Sequence, residues 1–335
     1  MFAEAGEAAA VVERALAANA ALMQRLGARL RAQPPRAVLT FARGSSDHAA
    51  TFARYLIETR AGVLTSSAGL SVSSIYAASP ALEGALCLAI SQSGRSPDLL
   101  AAVESAKQGG AFVVALVNDT QSRLAAAADE VVALSAGPET SVAATKSFIA
   151  ALAAAVHLVA EWREDAALRQ ARANLGADLT RAWALDWSPA AARLRDARNL
   201  FVIGRGVGLG AAQEAALKFK ETCGLHAEAF SAAEVMHGPF ALAEAGFPAL
   251  FFAQSDETRP SVVSSAAAFA ARGADVLFAG GADAPGCVLP TLSADPAVEP
   301  ILMVQSFYRM ANTLAVTRGF DPDRPPHLKK VTETV

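Results

Sequence analysis

The chain has 335 residues, 53% of them apolar and 18% charged. At about 150 residues per domain this is enough for two domains, and too apolar for a disordered chain. Its 29 basic and 32 acidic residues leave a net charge of −3, which excludes the broad basic field that nucleic-acid binding requires.

Residues 1–35 read as an N-terminal helical segment whose opening, MFAEAGEAAA, lacks the basic start and long apolar core of an export peptide. Continuous apolar runs then predict strands at 37–42, 85–90, 112–117 and 131–134, of the kind buried on both faces of a parallel sheet. Helices are expected between them, at 48–61, 97–109 and 122–127, followed by a long alanine-rich helix over 146–164. Its greasiest part, 148–156, is bracketed by Lys146 and His157 and falls far short of a membrane span. A polar helical connector follows (165–187), and the pattern restarts with strands at 200–203, 249–253 and 276–279 and a last helix over 300–318. The expected organisation is two α/β domains, 36–165 and 196–320, each a doubly wound parallel sheet flanked by helices, joined by a connector (166–195) and closed by a tail (321–335). Cys87, Cys223 and Cys287 are odd in number and scattered, so neither a disulfide frame nor a zinc cluster is expected.

Each half opens with a strand running into a glycine turn, FARGSSDHA (41–49) and VIGRGVGLGAA (202–212), a hint of duplication. The second resembles a dinucleotide fingerprint but carries Leu209 where GxGxxG needs glycine. The stretch that follows is expected to continue as helix and loop rather than a strand ending in an acid. The plainer reading, a tight strand-to-helix turn, is preferred.

The segment Ser91-Gln92-Ser93-Gly94-Arg95-Ser96-Pro97-Asp98 follows a buried strand and opens a helix. Hydroxyls, an amide and free N–H groups there meet the positive end of a helix dipole, which suits a phosphate dianion. No Walker lysine is present, so a small phosphorylated metabolite is expected rather than a nucleoside triphosphate. The alternative is ordinary capping by Ser96. Gly44-Ser45-Ser46 and the Thr140–Lys146 segment add hydroxyls at other loop ends of the same half. In the second half, Lys218 and Glu221 stand three apart on one helix face, either an exposed ion pair or a base with its cation. His237-Gly238-Pro239 sets an imidazole on a constrained turn, as a packing residue or an acid–base group. His327-Leu328-Lys329-Lys330 reads alone as a solvated basic end.

Together these segments resemble the SIS (sugar isomerase) family: GSS at 44–46, SQSG at 91–94, VAATKSF at 142–148, ALKFKE at 216–221, HAEAF at 226–230, EVMHGP at 234–239 and LKKVT at 328–332. The resemblance implies that Ser46, Ser91, Gln92, Ser93 and Ser96 contact a sugar phosphate and its hydroxyls, with Val142 and Thr145 in the substrate loop. It makes Glu221 the carboxylate that carries a proton between C1 and C2, with Lys218 beside it. His237 becomes the ring-opening residue, reaching the site of a neighbouring subunit in a homodimer, and Lys330 the lysine that approaches the sugar carbonyl. Arg95 and Met236 depart from the family pattern, where an acid and a lysine are usual. The similarity is greatest to the isomerase half of glucosamine-6-phosphate synthase, and SQSGRSPD with LKKVTET looks like the family's glucosamine-6-phosphate deaminases. No cysteine precedes Cys87, so glutamine hydrolysis by a leading cysteine is not expected. The resulting expectation is a cytoplasmic enzyme that deaminates glucosamine 6-phosphate to fructose 6-phosphate, without metal or organic cofactor. Its partners would be a phosphorylated amino sugar or ketose, with no nucleic acid and no membrane. The alternatives are ammonia- or glutamine-dependent synthesis of the same amino sugar, deglycation of a fructosamine phosphate, or phosphosugar sensing without catalysis.

Overall fold

A computed structural model describes residues 1–330; Val331 and Thr332 of the LKKVT segment, with the last three residues, lie outside the described residues. The chain divides into two compact units. One gathers residues 10–139, 146–173 and 329–330; the other gathers 1–9, 140–145 and 174–328.

The N-terminal segment is helical, as expected, in α1 (Phe2–Gly6) and α2 (Ala8–Ala32). In the first unit the strands are β1 (Val38–Phe41), β2 (Thr65–Ser67), β3 (Leu86–Ser91), β4 (Phe112–Val117) and β5 (Glu130–Ala133). The helices are α3 (Ser45–Ala61), α4 (Ser71–Ser74), α5 (Pro97–Gln108), α6 (Arg123–Ala127) and α7 (Lys146–Arg163). The four strands read from apolar runs all form, whereas β2, three residues long with two exposed, gave no such run. The sheet order is β2-β1-β3-β4-β5 and every pairing is parallel. Cys87, Leu99, Val103, Val113 and Leu124 form its core on one side. The other side receives α7, nearly all of whose residues are buried and which packs against α3.

The connector forms two helices, α8 (Ala166–Ala184) and α9 (Ser188–Leu194). The second unit then contains β6 (Asn199–Gly204), α10 (Gly208–Cys223), β7 (His226–Ser231), β8 (Pro248–Phe252), α11 (Arg259–Ala271), β9 (Asp275–Ala279), β10 (Cys287–Leu289) and α12 (Glu299–Thr317). Here the sequence reading needs correction: 226–231 is a strand, not a continuation of helix and loop. β7 sits at the sheet edge, with His226 and Glu228 exposed, so its sequence alternates instead of running apolar. The order β10-β9-β8-β6-β7, again all parallel, repeats that of the first sheet strand for strand. Phe201, Phe251, Phe269 and Phe278 fill its core; the Phe251 and Phe269 rings meet edge-on, 5.5 Å apart, a geometry worth about 1 kcal/mol beyond burial. The glycine turn after β6 is the tight turn expected: a Cβ on Gly204 would stand 2.5 Å from the carbonyl of Gly208.

In an open sheet of this order the connections diverge where its first and third strands lie side by side, leaving a crevice at their C-terminal ends. Each unit has one such point, between β1 and β3 and between β6 and β8. No described helix is long and apolar enough to cross a membrane.

Candidate active site

In the first unit both loops at the divergence point carry serines. The β1 loop passes through Gly44, at φ 54°, into α3, which starts at Ser45, three residues earlier than expected. Ser46 therefore lies in the first turn of a 17-residue helix. The β3 loop contains Ser91, Gln92, Ser93 and Ser96 and opens α5 through Pro97. Two helix N-termini thus follow these two strands, each presenting a positive dipole end.

The loop is held by its own residues. Gly94 adopts φ +63°, and a Cβ there would come within 2.3 Å of Ser122 Oγ. The Gly94 amide donates to Ser91 Oγ at 3.0 Å. Ser96 occupies the N-cap position, but its side chain makes no capping bond. Asp98 takes that task, its Oδ1 accepting from the Leu99 amide at 2.8 Å. Its other oxygen receives Arg43 of the β1 loop, at 2.9 Å from Nε, and so ties the two loops together. The Ser96 hydroxyl therefore takes no part in capping the helix. Arg95 pairs with Asp119 at 3.0 Å on the surface.

In the second unit, Lys218 and Glu221 are brought together on α10, with Nζ 2.6 Å from Glu221 Oε2. The pair is not an exposed one. Lys218 is fully buried, while the Glu221 side chain retains 21% exposure and lines a cavity of about 400 Å³ with Leu217, Lys220, Gly224, Phe320 and Leu328. A second carboxylate, Glu214, lies wholly buried 3.1 Å from the same ammonium, and Tyr308 of α12 donates to it at 2.9 Å. Burial alone would depress the Lys218 pKa, but Glu214 and Glu221 outweigh it and hold the value above that of an ordinary lysine. Glu214 was detectable in the sequence, four residues before Lys218 on the same face. Tyr308, distant in sequence, was not.

His237 ends a short 3₁₀ turn (Glu234–Met236), is exposed, and precedes Gly238 at φ +129°. It is not among the residues lining the Glu221 cavity. In the substrate-loop segment the Val142 amide donates to the Asp323 carbonyl at 3.2 Å, and Thr145 is fully buried. Lys330 is described and lies 3.5 Å from Glu139, a buried carboxylate that also accepts from Ser147 Oγ at 2.6 Å. Sequence reasoning passed over Glu139. The counterpart crevice of the second sheet is occupied by its own side chains: buried Gln254 reaches the Arg205 carbonyl (2.7 Å), Asp256 (3.0 Å) and Thr258 (2.9 Å).

Comparison with known proteins agrees with this layout. The SIS domain family model matches residues 33–160 and 193–283. The isomerizing glutamine–fructose-6-phosphate aminotransferase of Aeropyrum pernix is 35% identical over 317 residues, covering 86% of this chain and 49% of that protein; the chain spans about half the length of the curated relatives it matches. A solved structure from Silicibacter pomeroyi DSS-3, provisionally assigned as a phosphosugar isomerase, is 43% identical with a TM-score of 0.93, covering 96% of this chain and 99% of that one. The glucosamine-6-phosphate deaminase of Thermotoga maritima superposes with a TM-score of 0.74 over 97% of this chain and all of its own, at 21% identity, a likeness of fold alone.

Proposed function

Because this chain belongs to the SIS domain family, we propose that it is an aldose–ketose isomerase of amino-sugar phosphates, interconverting fructose 6-phosphate plus ammonia with glucosamine 6-phosphate. The observation that carries this reading is the Glu221 carboxylate, fixed at a cavity wall by a buried ammonium 2.6 Å away. That is the equipment of a positioned proton carrier. The phosphate is taken by Ser91, Gln92, Ser93 and Ser96, with Ser46 from the neighbouring loop, where two helix N-termini favour a dianion. Val142 and Thr145 complete the substrate loop.

In the amination direction ammonia adds to the open-chain ketose and water leaves, giving a C2 imine. Glu221 removes a proton from C1, forming an enolamine, and returns it to C2 as the C1 hydroxyl becomes the aldehyde. Lys330 approaches the carbonyl carbon. His237, exposed on its turn, serves ring opening in the neighbouring subunit of a homodimer. The imine is itself the electron sink for the proton transfer.

The curated relatives that are 35% identical or thereabouts are aminotransferases, whereas the deaminase likeness is one of fold. We therefore place the isomerase step of amino-sugar synthesis ahead of the deamination first expected from the sequence, which is the same chemistry run backwards. Purified protein is assayed with fructose 6-phosphate plus ammonium or glutamine, and separately with glucosamine 6-phosphate for ammonia release. Product in either direction is expected, and Glu221→Gln should abolish it while substrate still binds. Undiminished turnover in Glu221→Gln overturns the base assignment; inactivity on both sugars alongside activity on another phosphosugar overturns the substrate assignment.

A further inference from the structure

The loop between β5 and α7 runs without regular structure over 134–145, yet Glu139, Ser141 and Thr145 in it are buried. Backbone amides in such a place need partners from elsewhere. Three successive ones find them on segments remote in sequence. The Glu4 carboxylate of α1 accepts from the Thr140 amide and, at 3.1 Å, from the Thr140 hydroxyl; the Ser141 amide reaches it at 3.3 Å. The Val142 amide donates to the Asp323 carbonyl at 3.2 Å. The Ser141 hydroxyl donates to Asp323 Oδ1 at 2.8 Å, which the Met1 amino group also meets. All of these residues belong to one compact unit.

Helix α1 has five residues, too few to persist by its own hydrogen bonds. Packing fixes it instead. Buried Gln305 of α12 donates to the Ala5 carbonyl at 3.0 Å, and the Phe2 ring sits 5.0 Å from that of Trp183 on α8. Burial alone would raise the Glu4 pKa, but hydrogen bonds from Ser141 and Thr140 outweigh it and hold the carboxyl below its ordinary value. Glu4 thus stays ionised, and its bonds to the loop are of the stronger, charge-assisted kind.

We infer that Glu4 is a positioning residue for ligand binding: together with Asp323 it fixes the 140–142 backbone, so that Val142 meets a phosphosugar on a loop already ordered. Glu4 itself does not touch the ligand, and the inference rests on the reading of 142–145 as the substrate loop. A loop without this anchor has to be ordered at the moment of binding, and that entropy is lost from affinity. Because the loop serves bound substrate and transition state alike, its release falls on binding rather than on turnover.

The experiment titrates wild type, Glu4→Ala and Glu4→Gln calorimetrically with glucosamine 6-phosphate and follows backbone amide exchange over 140–145 with and without it. The full chain is used, and circular dichroism checks folding. Glu4→Ala should raise Kd roughly tenfold, the scale of one hydrogen bond to a charged group, with kcat within about twofold of wild type. In the free variant, exchange at the Thr140 and Ser141 amides should quicken about tenfold, and saturating ligand should slow it again. Glu4→Gln, which keeps one acceptor oxygen, should fall between. A purely structural role would lower the melting temperature and leave Kd of the folded protein unchanged. Wild-type Kd in Glu4→Ala, or unaltered exchange at 140–142, overturns the inference. Should Glu4→Ala not fold, Glu4→Gln decides it by the same two readouts. If wild type fails to bind the sugar, or binding leaves exchange over 142–145 untouched, the substrate-loop reading falls and the inference with it. If wild type binds and protects those amides while Glu4→Ala keeps the same Kd, only the role of Glu4 falls.

Discussion

Ser96→Ala separates a helix cap from a ligand contact. Removing a capping serine ordinarily costs about 1 kcal/mol, because an N–H of the first turn loses its acceptor. Here Pro97 has no N–H to satisfy, the Leu99 amide already bonds to Asp98 Oδ1 at 2.8 Å, and the Leu100 amide uses the Ser96 main-chain oxygen at 3.1 Å, which alanine retains. The expected stability change is therefore within about 0.5 kcal/mol, as for a surface substitution. If the hydroxyl instead donates to a sugar phosphate, its loss removes a bond to a charged group, about 1.5–3 kcal/mol, or roughly a tenfold to hundredfold rise in Kd. Urea unfolding reads the first quantity, and calorimetric titration with glucosamine 6-phosphate the second. A loss of about 1 kcal/mol in stability with unchanged affinity would show that Ser96 is a cap and that the phosphate is held elsewhere.

Two further outcomes follow from buried charge. Lys218→Met strands the Glu214 carboxylate and should destabilise the protein by about 3–5 kcal/mol; adding Glu214→Gln should recover most of the loss, and equal urea midpoints for the single and double variants would refute the pairing. His157, buried on α7 with its pKa pushed down to about 4 by burial and then by Arg172, against the opposing pull of Glu161, stays neutral in the folded chain where the unfolded chain binds a proton. Stability should thus fall as pH drops from about 6.5 toward about 4. His157→Leu should lose less over that window, and parallel pH profiles for the two proteins would discount the effect.

How much of this could be read beforehand depended on burial. Strands covered on both faces, such as Leu86–Ser91 and Phe112–Val117, announce themselves as unbroken apolar runs. Three of the four edge strands do not: Thr65–Ser67 and Cys287–Leu289 have three residues each, and His226–Ser231 alternates because one face is open. At the candidate site, groupings close in sequence were legible, including the serines before α5 and the Lys218–Glu221 pair. Partners set by the tertiary fold were not: Tyr308 reaches Glu214 across 94 positions, and Glu139 meets a lysine near the far end of the chain. Ser96 does take the N-cap position that its local pattern indicates, but the pattern could not show that its side chain makes no cap bond while Asp98 accepts from the Leu99 amide.

The repeated strand order has a consequence for how one architecture came to hold two kinds of task. The helix after the opening strand occurs twice, as α3 and as α10. The earlier copy would contribute its leading end, where main-chain dipoles welcome an anion; the later copy would contribute its trailing half, where side chains would handle protons. With Gln254 stoppering the later copy's own mouth, that half no longer needed to stay hollow for a guest of its own. Its interior could then take in a lysine flanked by two acids, a grouping that an open, water-filled cleft would have dissolved.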